Sequence, residues 1–411
     1  MLKNYFKIAI AVLKRRKFFT FISLFGISFT LAIIIVVTAF IDHAVRPGYP
    51  DVNRDRELYA DRMHLKSSKN QSNINGGPSF YFVNHYVANL KTPVKVSIQS
   101  NGSATNSYVN NKKLVNRLRY TNDQFWQVLQ FNFIEGKPYN KQQVDNAEKV
   151  AVISEDMRNA YFGEDAKALG KYIETDNVQY RIIGVVTSLP ATSNVFADIY
   201  VPYTLSKEDL HNTGLIGGYR AIMLFNSRDD FKRARDEYNQ MVAKLPRDPQ
   251  FDLVYTYADT YPETFTRGLP FAEGEDAGVT TFLIIATIII LLFLLLPTLN
   301  LVNINISRII DRSSEIGVRK AFGASSRTLV YQFIVENLIL TFLGGIVGIV
   351  LSFIILQIIN NAGLVDHMHL AINLHVLFIT LLACIFFGLL SGVYPAWRMS
   401  RMHVVTALKA Q

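Results

Sequence analysis

The stretch Glu315-Ile316-Gly317-Val318-Arg319-Lys320-Ala321-Phe322-Gly323-Ala324 lies between two long apolar runs, 279–303 and 329–359. Two further runs, 18–41 and 370–394, complete a set of four. About 20 apolar residues suffice for a helix to cross the hydrocarbon core of a bilayer. Each run reaches that length with no charge near its middle, which predicts four transmembrane helices. The charged decapeptide then falls in a loop of 304–328 on one side of the membrane, and 42–277 forms a large water-soluble segment.

Charge fixes the expected orientation. Lys3, Lys7, Lys14, Arg15, Arg16 and Lys17 precede the first run, and the first acid is Asp42. Arg308, Arg312, Arg319, Lys320 and Arg327 outnumber Asp311 and Glu315 in the loop, and Arg398, Arg401 and Lys409 follow the last run. Cationic loops stay in the cytoplasm, so both termini and 304–328 are expected there and 42–277 outside, in the periplasm, with a short outer loop at 360–369. Residues 43–276 carry equal numbers of acids and bases. The formal charge of +9 is therefore a topogenic signal rather than a nucleic-acid footprint. Leu2, Tyr5, Phe6, Ala9, Val12 and Leu13 recur at helical spacing and predict an amphipathic surface helix over 1–17. The first run exceeds a signal-peptide core and reads as an uncleaved span. The only cysteine, Cys384, sits in the last run, so the outer domain is expected to fold without disulfides.

The outer segment reads as mixed α/β. Strands are expected at 56–65, 93–99, 111–120, 149–153, 180–186, 219–225 and 251–257. Helices are expected at 79–90, 156–162 and 229–245, the last N-capped by Ser227. The alternation predicts two lobes, one of 43–120 joined with 206–270 and an inserted one of 121–205. Tyr81, Phe82, Tyr86 and Phe125 read as core rather than as a client surface. The fold class expected is four membrane helices plus a two-lobed α/β extracytoplasmic domain.

Several ordered pieces resemble one family. Asn303-Ile304-Asn305, Ser307 and Arg312 lead into the decapeptide. Gln332-Phe333-Ile334, Glu336, Gly344, Gly345 and Gly348 follow, and Tyr394-Pro395-Ala396 through Thr406-Ala407-Leu408-Lys409 close the chain. In the outer segment, 133–137, 150–154, Tyr161-Phe162-Gly163, Gly170 and Ile182-Ile183-Gly184-Val185 fit the same pattern. Together they resemble the permeases of MacB/FtsX-type ABC transporters. Pro297 in a leucine-rich second run, Val404 and Trp397 depart from that pattern.

The resemblance implies that Arg312, Glu315, Ile316, Gly317, Val318, Arg319, Lys320, Ala321, Phe322 and Gly323 form a coupling helix that docks in a groove of a cytoplasmic ATPase. Charged residues there would set register and apolar ones supply contact. Gly344, Gly345 and Gly348 mark close helix packing, within one subunit or in a dimer. Glu336, near the end of its run, is expected to be solvated or arginine-paired. Pro297 is expected to kink the second span. No G-x-x-x-x-G-K-[ST] segment occurs, and Gly170-Lys171-Tyr172 lacks its upstream glycine and hydroxyl. ATP and magnesium are therefore expected on a separate ATPase subunit, with no cofactor, catalytic residue or metal in this chain. His367-Met368-His369 offers two imidazoles without a third ligand and reads as a polar loop. The expected partners are the ATPase, a second permease copy or paralogue, membrane lipid, and a periplasmic adaptor with an outer-membrane protein. The expected output is efflux of a small molecule or peptide. Lipoprotein extraction and control of a cell-wall enzyme are the alternatives.

Overall fold

The computed structural model describes residues 10–11, 14–15, 17–70, 72–109, 112–164, 166–246, 249–272, 274–310, 318, 322, 325–363 and 366–400. The chain divides into two compact units, one of Met1–Ala44, Leu283–Leu364 and His369–Gln411, the other of Val45–Phe282 with Val365–Met368. Most of the expected surface helix at 1–17 and the tail from 401 onward lie outside the described residues.

Fourteen strands are described, in chain order β1 (Glu57–Ala60), β2 (Met63–Lys66), β3 (Asn73–Pro78), β4 (Lys95–Ser100), β5 (Ser103–Val109), β6 (Lys112–Thr121), β7 (Phe133–Gly136), β8 (Val150–Ser154), β9 (Tyr172–Thr175), β10 (Val178–Val186), β11 (Ile199–Pro202), β12 (Ile216–Gly217), β13 (Tyr219–Leu224) and β14 (Leu253–Tyr255). The principal helices are α1 (Lys17–Val45), α2 (Glu155–Phe162), α3 (Asp230–Ala243), α4 (Val279–Ile310), α5 (Ser326–Asn361) and α6 (Leu374–Ser400).

In the larger unit a ten-stranded sheet runs β1-β13-β4-β6-β11-β8-β10-β7, with β5 added to β6 and β9 to β10. A four-stranded sheet runs β12-β3-β2-β14. β8, Val-Ala-Val-Ile-Ser, is buried at every position. It lies parallel to β10 and antiparallel to β11. A continuous apolar, β-branched run suits such a two-sided interior position. α2 begins where Ser154 accepts a hydrogen bond from the Met157 N–H (3.1 Å). Glu155 and Asp156 in its first turn favour the positive end of the helix dipole, and Gly163, at φ 97°, ends it.

The packing has three centres. One gathers Leu58, Phe82, Ile98, Met223 and Tyr238 from 58–98 and 219–258. Another gathers Leu118, Ile153, Met157, Ile182 and Val201 from 118–201. Between them lies an aromatic cluster of Tyr59, Phe125, Trp126, Phe131, Tyr139 and Tyr200. The large sheet is continuous across these centres because β6 pairs with both β4 and β11.

Three local expectations need correcting. The strand at 56–65 is two strands, because the chain leaves the large sheet after Ala60 and enters the small one at Met63. The helix at 79–90 is a π-turn, Phe82–Tyr86, followed by a 3-10 turn, Val87–Asn89. The cap position of α3 is Asp229, which makes no side-chain cap bond; the expected Ser227 lies two residues earlier, its hydroxyl accepting from the Asp229 N–H (3.2 Å). Phe82 and Phe125 are fully buried, as expected of core.

In the helical unit, Lys17–His43, Val330–Asn361 and Leu374–Ser391 are long and apolar enough to cross a membrane among the described residues. α4 is a 32-residue helix whose described apolar run is Val279–Phe293. It continues to Ile310, seven residues past the expected end at 303. α1 has two faces. Ile27, Leu31 and Ile35 are buried at helical spacing. Phe21, Phe25 and Phe29 stack in a ladder on the exposed side, with ring centroids 6.2 and 5.5 Å apart. A continuous apolar exterior of this kind is stable in lipid and not in water.

Candidate functional site

Of the ten residues expected to dock an ATPase, Arg312, Glu315, Ile316, Gly317, Arg319, Lys320, Ala321 and Gly323 lie outside the described residues. Val318 and Phe322 are described. The Phe322 N–H donates to the Val318 carbonyl (3.0 Å), one helical turn apart. Residues at that spacing share a helix face, and both side chains are exposed, Phe322 at 88%. Burying a phenylalanine contributes about 2–3 kcal/mol, so this apolar pair is a ready contact for a second surface. α5 begins just beyond, where Ser325 caps it by accepting from the Thr328 N–H (3.2 Å).

The three glycines of α5 divide their contacts. A Cβ at Gly344 would stand 2.8 Å from Ile27 Cγ2 and 2.9 Å from Ile27 Cβ. One at Gly348 would stand 2.8 Å from Leu31 Cδ2 and 3.0 Å from the Ser28 carbonyl. Both glycines let α5 approach α1 of the same chain. Gly345 instead faces Leu381 of α6, where a Cβ would meet only the Cδ1 tip at 3.2 Å. Gly388 of α6 is packed against Thr341. Glu336 is 1% exposed and accepts a hydrogen bond from the Gln332 amide (3.1 Å), so of the two expected settings the solvated one is excluded. A carboxyl group in such a place is costly unless partnered. Asn360 clamps the turn from α5 to α6 through reciprocal 2.9 Å bonds with Leu370. Pro297 lies within α4, but its side chain is outside the description.

The larger unit holds a second constellation that the sequence did not single out. It joins the segment following α1 to the segment preceding α4. Tyr59 and Asp259 exchange backbone hydrogen bonds of 2.7 and 3.0 Å. Arg54 donates to Asp51 (2.8 Å) and to the Arg46 carbonyl (2.9 Å), and its guanidinium lies 3.8 Å from the centre of the Tyr261 ring. Arg267 grips Asp259 with two bonds of 2.5 and 2.8 Å and covers the Tyr257 ring. The Tyr59 hydroxyl stands 2.9 Å from Asp51 and 2.8 Å from Glu57. Burial, and then the charge of Asp51, push the Glu57 carboxyl up to about 10. Glu57 therefore keeps its proton at neutral pH. The local sequence gave only a faint signal, since Glu57 occupies an inward position of a short strand.

Arg119 is a further buried charged residue. It is 2% exposed and donates to Gln99 Oε1 (3.1 Å) and to the carbonyls of Ser100, Asn194 and Phe196, with no carboxylate among these partners. Burial, and then the neighbouring Arg220, pull its guanidinium down to about 9. It ties the loop at 194–196 to β4 and β6. Among the described residues no group of three His, Cys, Asp or Glu side chains could hold a metal. His367 Nε2 lies 2.6 Å from Asp156 Oδ2.

A long-helix unit and a disulfide-free α/β unit inserted after its first helix define a membrane protein with an extracytoplasmic domain. Residues 20–241 match the MacB-like periplasmic core domain, and residues 287–404 match the FtsX-like permease C-terminal region. The chain belongs to this family of ABC transporter permeases. It is 25% identical over 410 residues to the macrolide export ATP-binding/permease protein MacB of Wolinella succinogenes, covering 98% of this chain and 60% of that one. It is 24% identical over 287 residues to the pyoverdine export ATP-binding/permease protein PvdT of Pseudomonas syringae pv. syringae, covering 69% of this chain and 41% of that one. The chain thus spans less than two thirds of the length of either relative. The periplasmic region of MacB from Actinobacillus actinomycetemcomitans aligns at 16% identity and a TM-score of 0.37, covering 53% of this chain and 94% of that one.

Proposed function

We propose that this chain is the permease subunit of an ABC exporter in a bacterial inner membrane, working as a dimer and driven by a separate cytoplasmic ATPase. The ATPase binds ATP and magnesium and docks on the loop around 308–323. Closure of the ATPase pushes the loop, α1 and α4 act as levers, and the extracytoplasmic domain changes shape around its client. A stiff element with two positions is all that such transmission needs. The client is a small molecule or peptide, passed to a periplasmic adaptor and an outer-membrane protein.

The observation that carries the reading is the exposed Val318–Phe322 face inside a cationic loop. Family membership and the export named for the relatives support it, as does the insertion of the domain between α1 and α4. The constellation of Arg54, Asp259 and Arg267 ties the two lever segments together, which suits a part that moves as a unit.

Affinity purification of the tagged full-length chain from its native membrane, with mass spectrometry, tests the proposal. An ATPase is expected with the wild type and is lost in the double variant Phe322→Ser, Val318→Ser, while the chain itself is recovered in equal amount. Equal recovery of the ATPase with both forms would remove the docking assignment. Absence of any ATPase from a well-folded wild type would overturn the transporter reading.

A further inference from the structure

One cavity of the larger unit lies apart from the side-chain constellations described above. It has a volume of about 160 Å³ and opens to solvent, where the β5–β6 hairpin, the β9–β10 turn and the segment after β11 meet. Small-molecule sites are commonly clefts of about 300–1,000 Å³ with an apolar, aromatic lining and a few placed polar groups. This one is smaller, and its lining mixes a few apolar and aromatic residues with hydroxyls and charges. Leu118, Tyr120 and Tyr180 supply the apolar and aromatic part, and Asp176 and Glu208 supply carboxylates.

The walls are built rather than incidental. The hydroxyls of Thr105 and Thr175, both almost fully buried, lie 2.5 Å apart and join β5 to β9. The Asp176 carboxylate accepts from the Asn106 N–H (3.2 Å), and the Asp176 N–H donates to the Asn106 carbonyl (3.1 Å). Asp176 and Asn177 hold positive φ angles of 47° and 62°, which sets the tight turn that carries the carboxylate. Tyr180 and Leu118 are 3% and 4% exposed, so they form a fixed floor. Burial, and then Asp176 and Glu208, raise the Tyr120 phenol, so both acids act on that ring and it stays neutral. Lys207 is the one cation of the lining, and it reaches outward to the Asp176 carbonyl at 3.5 Å. Two carboxylates against one ammonium leave the cavity net negative.

We propose that this cavity binds a small organic cation, its charge held by Asp176 and Glu208 and its apolar body lying on Leu118, Tyr120 and Tyr180. Aromatic rings attract cations through their negative faces, and an alkylated ammonium, weakly hydrated, gains more from such a surface than a bare one. An inorganic ion would leave the apolar floor unused, and a neutral ligand would leave the carboxylates unanswered. The inference goes beyond the transport reading and does not depend on an ATPase.

The test uses the full-length chain in an uncharged maltoside detergent, with no nucleotide and no partner. Choline and benzyltrimethylammonium are titrated calorimetrically beside 3,3-dimethylbutan-1-ol, the neutral isostere of choline. The cations are expected to saturate one site, with the alcohol about tenfold weaker or more. The double variant Asp176→Asn, Glu208→Gln and the single variant Tyr120→Leu are each expected to weaken the cations about tenfold, while Tyr120→Phe keeps the ring and the affinity. Circular dichroism of every variant separates loss of the site from loss of the fold. No saturable binding of either cation in the millimolar range, equal binding of choline and its isostere, or indifference of folded variants would each overturn the proposal. None of these results bears on whether an ATPase drives the chain.

Discussion

Glu57 is the residue whose chemistry departs most from its type. A carboxyl group at a fully buried position, 2.8 Å from the Tyr59 hydroxyl and beside Asp51, avoids ionising. Its value rises from 4.5 to about 10 on folding. Between those limits the folded chain holds a proton that the unfolded chain has released. Stability from this group is thus fully present below 4.5 and is lost as pH rises toward about 10. Glu57→Gln imitates the protonated acid and is expected to fold normally while flattening that decline. The measurement is the thermal midpoint of the full-length chain across this pH window, followed through the emission of Trp126, which shares a core cluster with Tyr59. An identical slope in the variant would mean that Glu57 is ionised in the fold. Arg119 shows a different solution to the same cost. Its Nη1 and Nη2 atoms donate to carbonyl oxygens rather than to a counter-charge, so it fixes a loop without an anion among these partners.

At the scale of elements, the contacts of α5 with its neighbours make the sharpest forecast. Gly344 and Gly348 meet the stems of Ile27 and Leu31 and the Ser28 carbonyl, whereas Gly345 meets only the flexible tip of Leu381. Alanine at 344 or 348 is therefore expected to cost about 1–3 kcal/mol through overpacking, and alanine at 345 much less. Thermal unfolding of the three variants in detergent decides this, and equal losses at all three positions would contradict the assigned faces. The same glycines illustrate what could be read from sequence. Their spacing announced close helix approach, but spacing alone carries no partner, and α1 lies more than 300 residues away in the chain. The strongly periodic or continuously apolar elements, such as β8, β10, α2 and the long helices, were legible because burial pattern and local preference agree there. The break of 56–65 between two sheets was not, since a strand that changes sheet keeps the same composition throughout. The π-turn at Phe82–Tyr86 was missed for a similar reason, because its apolar spacing imitates an α-helix and only the packing of Phe82 and Val83 selects the wider turn. The cavity under Tyr120 depends on contacts distant in the chain, which periodicity does not record, and the approach of Glu57 to Asp51 depends on the turn between them, which follows no helix or strand period.

At the scale of the whole molecule, the distribution of charge has to agree with the direction in which the chain is inserted. The basic residues that give the net charge of +9 sit next to the apolar helices, whereas 43–276 is balanced. Moving such clusters outward is opposed by the rule that cationic loops remain in the cytoplasm, so the loop carrying Phe322 and the domain carrying Asn212 are expected on opposite faces. The chain offers a direct test, because Cys384 is its one cysteine and is buried within α6. In a Cys384→Ser background, single cysteines placed by Asn212→Cys and Ser325→Cys report the two sides, both positions being exposed. In sealed inside-out membrane vesicles, a membrane-impermeant maleimide is expected to label the Ser325→Cys chain at once and the Asn212→Cys chain only after detergent is added. The reverse pattern would place the Val318–Phe322 face on the outside, where no ATP-driven motor could reach it. That single result would remove the mechanical reading altogether. The expected pattern would set the apolar pair on the side where ATP is hydrolysed and the inserted domain on the side where a client is met.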